Sequence, residues 1–361
     1  MEIDLESGVV RARRRWVDLL RRPGLVLRGG RREGVFRGRE HTRNGRKCIV
    51  NTILVRKCHL FSHTSLSRST TNRFIVRTES LLVTFVAFWL ITGTLTAAPD
   101  ADLWPYWQAY NSDSERIIDH GQWATWLNNW ADQTKNGIRR VDYGAVDQAG
   151  QERLDQYLDH LTSVTVTELN RDVQMAYWIN LYNALTVDVV LKHYPVDTIK
   201  DIDISPGWFS SGPWDKKLVT IEGKELTLND IEHRILRPIW QDPRIHYVVN
   251  CASLGCPNLA GKPYTANRLD RMLEQAAKQY VNHPRGARVE DGSLIVSRIY
   301  SWYMSDFGGT EQQVIEHLKS HANEGLKQQL ASQQSIYDYR YDWTLNSFST
   351  PHFVNLCHKG V

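Results

Sequence analysis

The strongest hydrophobic pattern in the chain runs over residues 171–194. Met175, Trp178, Ile179, Tyr182, Leu185, Val189 and Val190 cover nearly every face of a helix there. A helix that is apolar all round is a buried one, so this segment is expected at the centre of the fold. Asn180 and Asn183 interrupt it three residues apart and share a face. Burying an amide without partners costs about 1–3 kcal/mol on mutational scales. The two amides therefore either anchor loop backbone or belong to a site.

Around this centre the pattern alternates between helical and extended periods. Ile117, Ile118, Trp123, Trp126, Leu127 and Trp130 recur at spacings of three and four and predict an amphipathic helix over 114–135. Its tryptophans read as packing rather than as a ligand cage. Residues 141–145 read as a short extended link and 152–161 as a second helix. A Gly/Pro/Trp-rich loop spans 201–217, followed by a hairpin that starts at 217–221 and turns at Glu222-Gly223. Thr227 and Asp230 form a variant capping box, opening a helix that carries Glu232 and His233 and ends before Pro238. The β-branched run 245–249 predicts a buried strand carrying His246. Thr265 caps a further helix that reaches residue 280. The Asp291-Gly292 pair predicts a two-residue hairpin between 287–290 and 293–297. An aromatic segment, 299–309, precedes helices at 312–321 and 323–333, and 336–346 reads as a late strand. Helices dominate and hairpins are scattered, so the class is α+β: a mainly helical single domain with a small β-sheet or hairpins around a central buried helix, 171–194.

Charge divides the chain. Residues 1–80 hold 19 of the 44 Lys+Arg and 7 of the 40 Asp+Glu, which leaves the remainder with 25 basic and 33 acidic residues. The first 75 residues form a basic, Arg- and Gly-rich leader with runs such as Arg13, Arg14 and Arg15 and little periodicity. They are expected to lie outside the mature protein, because a signal-like segment comes directly after them. In that segment Arg73 and Arg77 precede an apolar core over 81–91 and a small-residue exit at Thr96, Ala97 and Ala98. That order defines a secretory signal peptide, or a retained signal anchor, at 76–98. The core is short for a membrane span, which needs about 20 residues. The chain from 99 to 361 is then expected to be one exported domain, periplasmic or secreted, with membrane contact only through the signal segment and no nucleic-acid partner. Neither a substrate, a protein partner nor an oligomeric state is legible.

Chemistry concentrates in residues 244–259. Cys251 stands after the expected strand and would become a nucleophile if a base lowered its pKa. His246 and His233 are the candidate bases, and Glu232 or Asp306 the candidate orienting carboxylate. Glu232 reads equally as a structural partner of Arg237, and Asp306 as a cap for the helix near Thr310. Asn180 or Asn250 could supply an oxyanion donor. The alternative is a Cys251–Cys256 disulfide closing a small loop, favoured by an oxidising compartment. Cys251, Cys256, His246 and His233 match no standard zinc spacing, so no metal is expected. The chain has no P-loop, dinucleotide Gly fingerprint or Ser nucleophile elbow, so no nucleotide cofactor is expected either.

Five stretches resemble one family in order. They are 175–186 (MAYWINLYNALT), 226–237 (LTLNDIEHRILR), 245–257 (IHYVVNCASLGCP), 303–308 (YMSDFG) and 341–346 (YDWTLN). Together they are similar to the signatures of domain of unknown function 547, and the resemblance runs from about 141 to 346. The resemblance implies no established activity. It implies an exported bacterial single-domain protein and picks out Asn180, Asn183, Glu232, His233, His246, Cys251, Cys256 and Asp306. Two functions of different class remain open: a thiol-dependent hydrolase or transferase, and a non-catalytic binding or interaction domain with a structural disulfide.

Overall fold

A computed structural model describes residues 39–43, 46–50, 99–207 and 211–348. The signal-like segment 76–98, Cys58, Cys357 and positions 208–210 lie outside these residues. The described part of the first unit, within Met1–Val83, is an antiparallel hairpin of β1 (Arg39–Arg43) and β2 (Arg46–Val50). The candidate site residues all lie in the second unit, Thr84–Val361.

This unit is mainly helical with small sheets of two or three strands, as the α+β pattern predicts. Helix α1 is Gly121–Trp130, α2 is Gln148–Thr162 and α3 is Arg171–His193. Helix α3 is the expected centre: it is buried continuously from Val173 to Val190. Trp123, Trp126, Leu154, Tyr157 and Leu161 of α1 and α2 pack in the same core. The Asn170 side chain caps α3 by accepting from Val173 N–H (3.0 Å). Helix α1 is shorter than its apolar period. Its last turn gives way to β3 (Ala131–Gln133), which pairs with β4 (Arg139–Val141), and the link expected at 141–145 is a 3₁₀ turn over Tyr143–Ala145.

Hairpin β5 (Val219–Ile221) and β6 (Lys224–Leu226) leads into the capping box. Asp230 N–H donates to Thr227 Oγ1 and Thr227 N–H to Asp230 Oδ2, both at 2.9 Å. The helix it opens is a π-helix over Asp230–Leu236. It continues through Pro238 into α4 (Arg237–Trp240) instead of stopping before the proline. Proline has no N–H to donate back along the helix. The carbonyls of His233 and Arg234 accept instead from Asp102 N–H (3.0 Å) and Trp104 N–H (2.9 Å) of the preceding segment. The expected helix end is thereby bridged.

The run expected as a strand at 245–249 is not one. Pro243–Tyr247 is a 3₁₀ turn, started by Pro243 and by Asp242, whose carboxylate accepts from Arg244 N–H. Short apolar runs do not distinguish a buried strand from a buried helical turn. The backbone bonds here are local, Val248 N–H to Ile245 O at 3.0 Å.

Helix α5 (Leu269–Val281) packs in a second core with Tyr247, Tyr300, Phe307 and Val314. The Asp-Gly hairpin is as predicted, β7 (Ala287–Glu290) with β8 (Ser293–Ser297), its turn residues both at positive φ. Helix α6 (Ile299–Trp302) and a 3₁₀ turn (Met304–Phe307) come next, then α7 (Glu311–His321) and α8 (Glu324–Leu330). The late strand shortens to β9 (Asp338–Arg340), parallel to β8. The rest of the expected strand pairs with the cysteine loop: Leu254 N–H donates to Thr344 O and Gly255 N–H to Asp342 O, each at 2.8 Å. A Cβ at Gly255 would stand 2.7 Å from Asp342 N, so only glycine allows this approach. Among the described residues no helix is long and apolar enough to cross a membrane.

Candidate functional site

The asparagines set the position of the cysteine loop. Asn183 Nδ2 donates to Val248 O and Asn183 Oδ1 accepts from Asn250 N–H, both at 2.8 Å. Asn180 clamps Tyr264 in the same way, at 2.8 and 3.0 Å. Asn250 donates to Pro257 O (2.6 Å) and accepts from Ala252 N–H (2.8 Å). The amides of Asn180 and Asn183 hold loop backbone to the central helix, and that of Asn250 braces the cysteine loop internally. None of the three lines the cavity that opens over the loop, so the oxyanion role considered for Asn180 or Asn250 does not fit. Ala252 sits at φ +56° with its Cβ fully buried. That left-handed geometry, which L-residues rarely adopt, turns the chain so that Cys251 faces back toward Cys256.

A cavity of about 870 Å³ opens over this loop. Glu232, His233, His246, Cys251 and Cys256 all line it. Residues on a helix, a 3₁₀ turn and a loop thus line one cavity, although the expected strand is absent. Asp306 does not line the cavity but contacts His246, which does.

The thiols are free and their Sγ atoms lie 2.8 Å apart. The loop closes as expected for a disulfide partner pair, but the bond, about 2.05 Å long in a disulfide, is not formed. Cys251 N–H donates to Cys256 Sγ (2.9 Å). Ser253 Oγ donates to Tyr341 Oη, whose hydroxyl contacts Cys251 Sγ, both at 2.9 Å. Donation from the Cys256 thiol is the largest influence on Cys251. With the Ser253 and Tyr341 hydroxyls it outweighs burial and the nearby Glu232 charge, and holds the Cys251 thiol below its ordinary range. Burial pushes Cys256 well above it. The hydrogen-bond partners of Cys251 are therefore a thiol and two hydroxyls, not the histidine expected from the sequence. Ser253 and Tyr341 escape the sequence reading, although Tyr341 opens the last family-like motif.

Beside the thiols lies an ionic cluster. Arg237 binds Asp306 with both prongs, Nε to Oδ2 at 2.6 Å and Nη2 to Oδ1 at 3.0 Å. His246 Nε2 meets the same Asp306 Oδ2 at 2.8 Å, and its ring stacks on Tyr303 at 4.0 Å. Burial raises the Asp306 carboxyl, but the His246 and Arg237 contacts carry it well below the usual range. An ionised carboxylate only accepts, so His246 Nε2 carries the proton. His246 Nδ1 is buried with no hydrogen-bond partner among the described residues and stands 3.8 Å from Glu232 Oε1. Asp306 thus pairs with His246 and Arg237 and is not the cap for α7, which Thr310 provides.

Glu232 is not paired with Arg237 in a close ion pair. Its Oε2 accepts from Tyr182 Oη at 3.1 Å. Burial opposes its charge, but His233, His246, Arg237 and Tyr182 together lower its carboxyl pKa. His233 is buried beside it. The wider π turn is covered on both sides, by α3 and by Tyr303. Arg237 Nη1 lies 3.0 Å from His233 Nδ1. A guanidinium only donates, so Nδ1 accepts and the neutral ring carries its hydrogen on Nε2. Burial first, then the Arg237 and His246 charges, keep His233 below the usual imidazole pKa. His283, His317 and His321 are half-buried, and His317 Nε2 lies 2.8 Å from Tyr247 Oη.

Among the described residues no group of His, Cys, Asp and Glu is arranged to hold a metal ion. No curated protein and no solved structure matches the chain. A family model does match, over residues 166–281, and includes the three stretches that carry the asparagines, the Glu232–His233 pair and the two cysteines. Over residues 166–281 the chain is similar to the family described as protein of unknown function, DUF547.

Proposed function

We propose that the cavity is the active site of a thiol-dependent hydrolase or transferase acting on acyl groups, with Cys251 as the nucleophile. The observation that supports this most is the surroundings of Cys251. It lines an open cavity with Glu232, His233 and His246, and its hydrogen-bond partners favour the thiolate. In this reading the sulfur attacks the acyl carbon and a carbon–sulfur bond forms. The developing oxyanion accepts from His233 Nε2–H. The thiol proton moves to the free Nδ1 of His246, beside Glu232, while Asp306 holds the other nitrogen. It then leaves with the departing group as the carbonyl reforms. Water or an amine releases the thioester and regenerates the thiol.

The experiment is acylation of reduced protein with 4-nitrophenyl acetate. The expected result is a burst of about one nitrophenolate per chain, with the acetyl group mapped to Cys251 by mass spectrometry. Cys251→Ala removes the burst, and His246→Gln slows it about a hundredfold, on the scale of lost general-base catalysis. Acetylation elsewhere with Cys251 untouched sinks the reading.

A second reading is a non-catalytic binding domain whose Cys251 and Cys256 become a disulfide. The 2.8 Å sulfur separation favours it, as does the export expected from residues 76–98. Non-reducing mass mapping that finds the two cysteines bonded in protein with full acylating activity would exclude Cys251 as the nucleophile.

A further inference from the structure

The thiol end of the cavity has a counterpart at its other wall. Strands β8 and β9 run parallel, with Ser297 opposite Arg340. Their ends therefore open on the same space and deliver Arg298, Trp302, Arg340, Tyr341 and Trp343 to its lining. The aromatic rings form one surface. Tyr341 packs on Trp302 at 4.8 Å and on Trp343 at 4.7 Å, and Trp214 meets Trp343 at 5.9 Å. Tyr341 belongs to both ends of the cavity, because its hydroxyl contacts Cys251 Sγ.

Cations edge this surface. Lys200 Nζ lies 4.8 Å from the centre of the Trp343 ring. Arg298 is held by its main chain, N–H to Arg340 O at 2.9 Å, and its guanidinium reaches Tyr339 O at 3.4 Å. Among the described residues neither Lys200 nor Arg298 has a carboxylate within ion-pairing distance. Arg340 pairs with Asp338 at 2.7 Å. The acidic lining residues are Glu232, enclosed by the histidines and Arg237, and Asp215, which accepts from Asn229 Nδ2 at 2.6 Å. Positive charge without a partner is thus concentrated on the aromatic wall.

We propose that this wall is an anion subsite, at which Arg298 and Lys200 bind a carboxylate carried by the acyl substrate while Trp302 and Trp343 cover its apolar part. The substrate class is an acyl compound bearing a carboxylate beyond the reacting carbonyl, as in an acidic peptide. The chemical step rests on the acyl-transfer reading; the binding does not. A guanidinium recognises a carboxylate by paired donors, and the part-apolar cavity strengthens that contact relative to open water.

Two probes of nearly the same shape test it, 4-nitrophenyl glutarate and its terminal amide. In the reaction the ester carbon–oxygen bond breaks, a carbon–sulfur bond to Cys251 forms, and 4-nitrophenol or its anion leaves. The glutarate ester is expected to acylate Cys251 about tenfold faster or more, the scale of one charge-assisted hydrogen bond. Arg298→Gln should collapse this ratio toward one, and Arg298→Lys should restore part of it. A variant that merely misfolds lowers both rates and leaves the ratio unchanged. A second arm needs no catalysis: tryptophan fluorescence of Cys251→Ser protein titrated with glutarate and with glutaramide. Tighter binding of glutarate, weakened about tenfold by Arg298→Gln, supports the subsite even if no ester reacts. That combination would reject the nucleophile alone. Equal affinity for glutarate and glutaramide, or a preference untouched by Arg298→Gln, overturns the subsite whatever the thiol does.

Discussion

Replacing Asp306 with alanine tests the ionic cluster that holds His246. The Asp306 carboxylate accepts two hydrogen bonds from Arg237 and faces His246 Nε2. The side chain of Arg237 is 4% exposed and that of His246 is 1% exposed. Removing the carboxylate leaves a buried guanidinium without its counter-ion. Breaking a buried pair from one side costs about 3–5 kcal/mol. Asp306→Asn keeps one acceptor and should cost less, about 1–3 kcal/mol. The assay is urea unfolding at pH 7 followed by circular dichroism, with the slope unchanged and the midpoint lowered. The double variant Arg237→Met/Asp306→Ala should recover part of the loss, because the orphaned charge is gone as well. Strict additivity of the two single costs, or a loss under about 1 kcal/mol for Asp306→Ala, would refute the claim that these groups form one buried unit.

The same cluster gives the pH effect its sign. The folded Asp306 carboxyl lies below its unfolded value. Its contribution is therefore present above about pH 3.9 and lost as pH falls from there toward the folded value. Asp306→Asn should show a shallower acid limb of stability than the wild type.

Other consequences are simpler to measure. Asn183→Ala leaves Val248 O and Asn250 N–H unpaired in the core and should cost about 2–5 kcal/mol by the same unfolding assay; a loss below about 1 kcal/mol would contradict the anchoring role. Burial lowers both His120 and His317 to about 4. Both are therefore neutral in the folded chain, and stability should fall as pH drops through 6.5 toward 4. His317→Gln should flatten part of that slope in a melting-temperature profile, and an unchanged profile would count against it. Tyr341→Phe removes a hydroxyl from Cys251 Sγ. It should raise the pH midpoint of Cys251 alkylation; a lowered or unmoved midpoint would remove Tyr341 from the site.

Features that depend on neighbours in sequence are legible. The Thr227–Asp230 box and the Asp291-Gly292 turn are closed local circuits, and both form at the predicted positions. The central helix declares itself because its apolar residues cover every face. The 245–249 run misleads because a short, mostly apolar run suits a strand or a helical turn, and the Asp242-Pro243 start decides between them. Pro238 looks like a helix end because the residues that take up the freed carbonyls, Asp102 and Trp104, lie more than 130 positions away. Asp306 is among the expected residues, but the sequence pairs its partner Arg237 with Glu232 instead. That choice turns on a contact across 69 positions, which no local pattern encodes. The asparagines are recognisable as needing partners, and only the folded loop shows that those partners are backbone groups.

The central claim is that Cys251 is a free, activated, cavity-facing thiol and Cys256 its buried neighbour. It is tested most directly by alkylating the native protein, purified without reductant, with iodoacetamide across pH and reading each cysteine by mass spectrometry. The account predicts that Cys251 reacts with a midpoint below the ordinary thiol value of about 8.5 while Cys256 stays unmodified. Alkylation of both thiols only after reduction, or a Cys251 midpoint at or above the ordinary value, would contradict it.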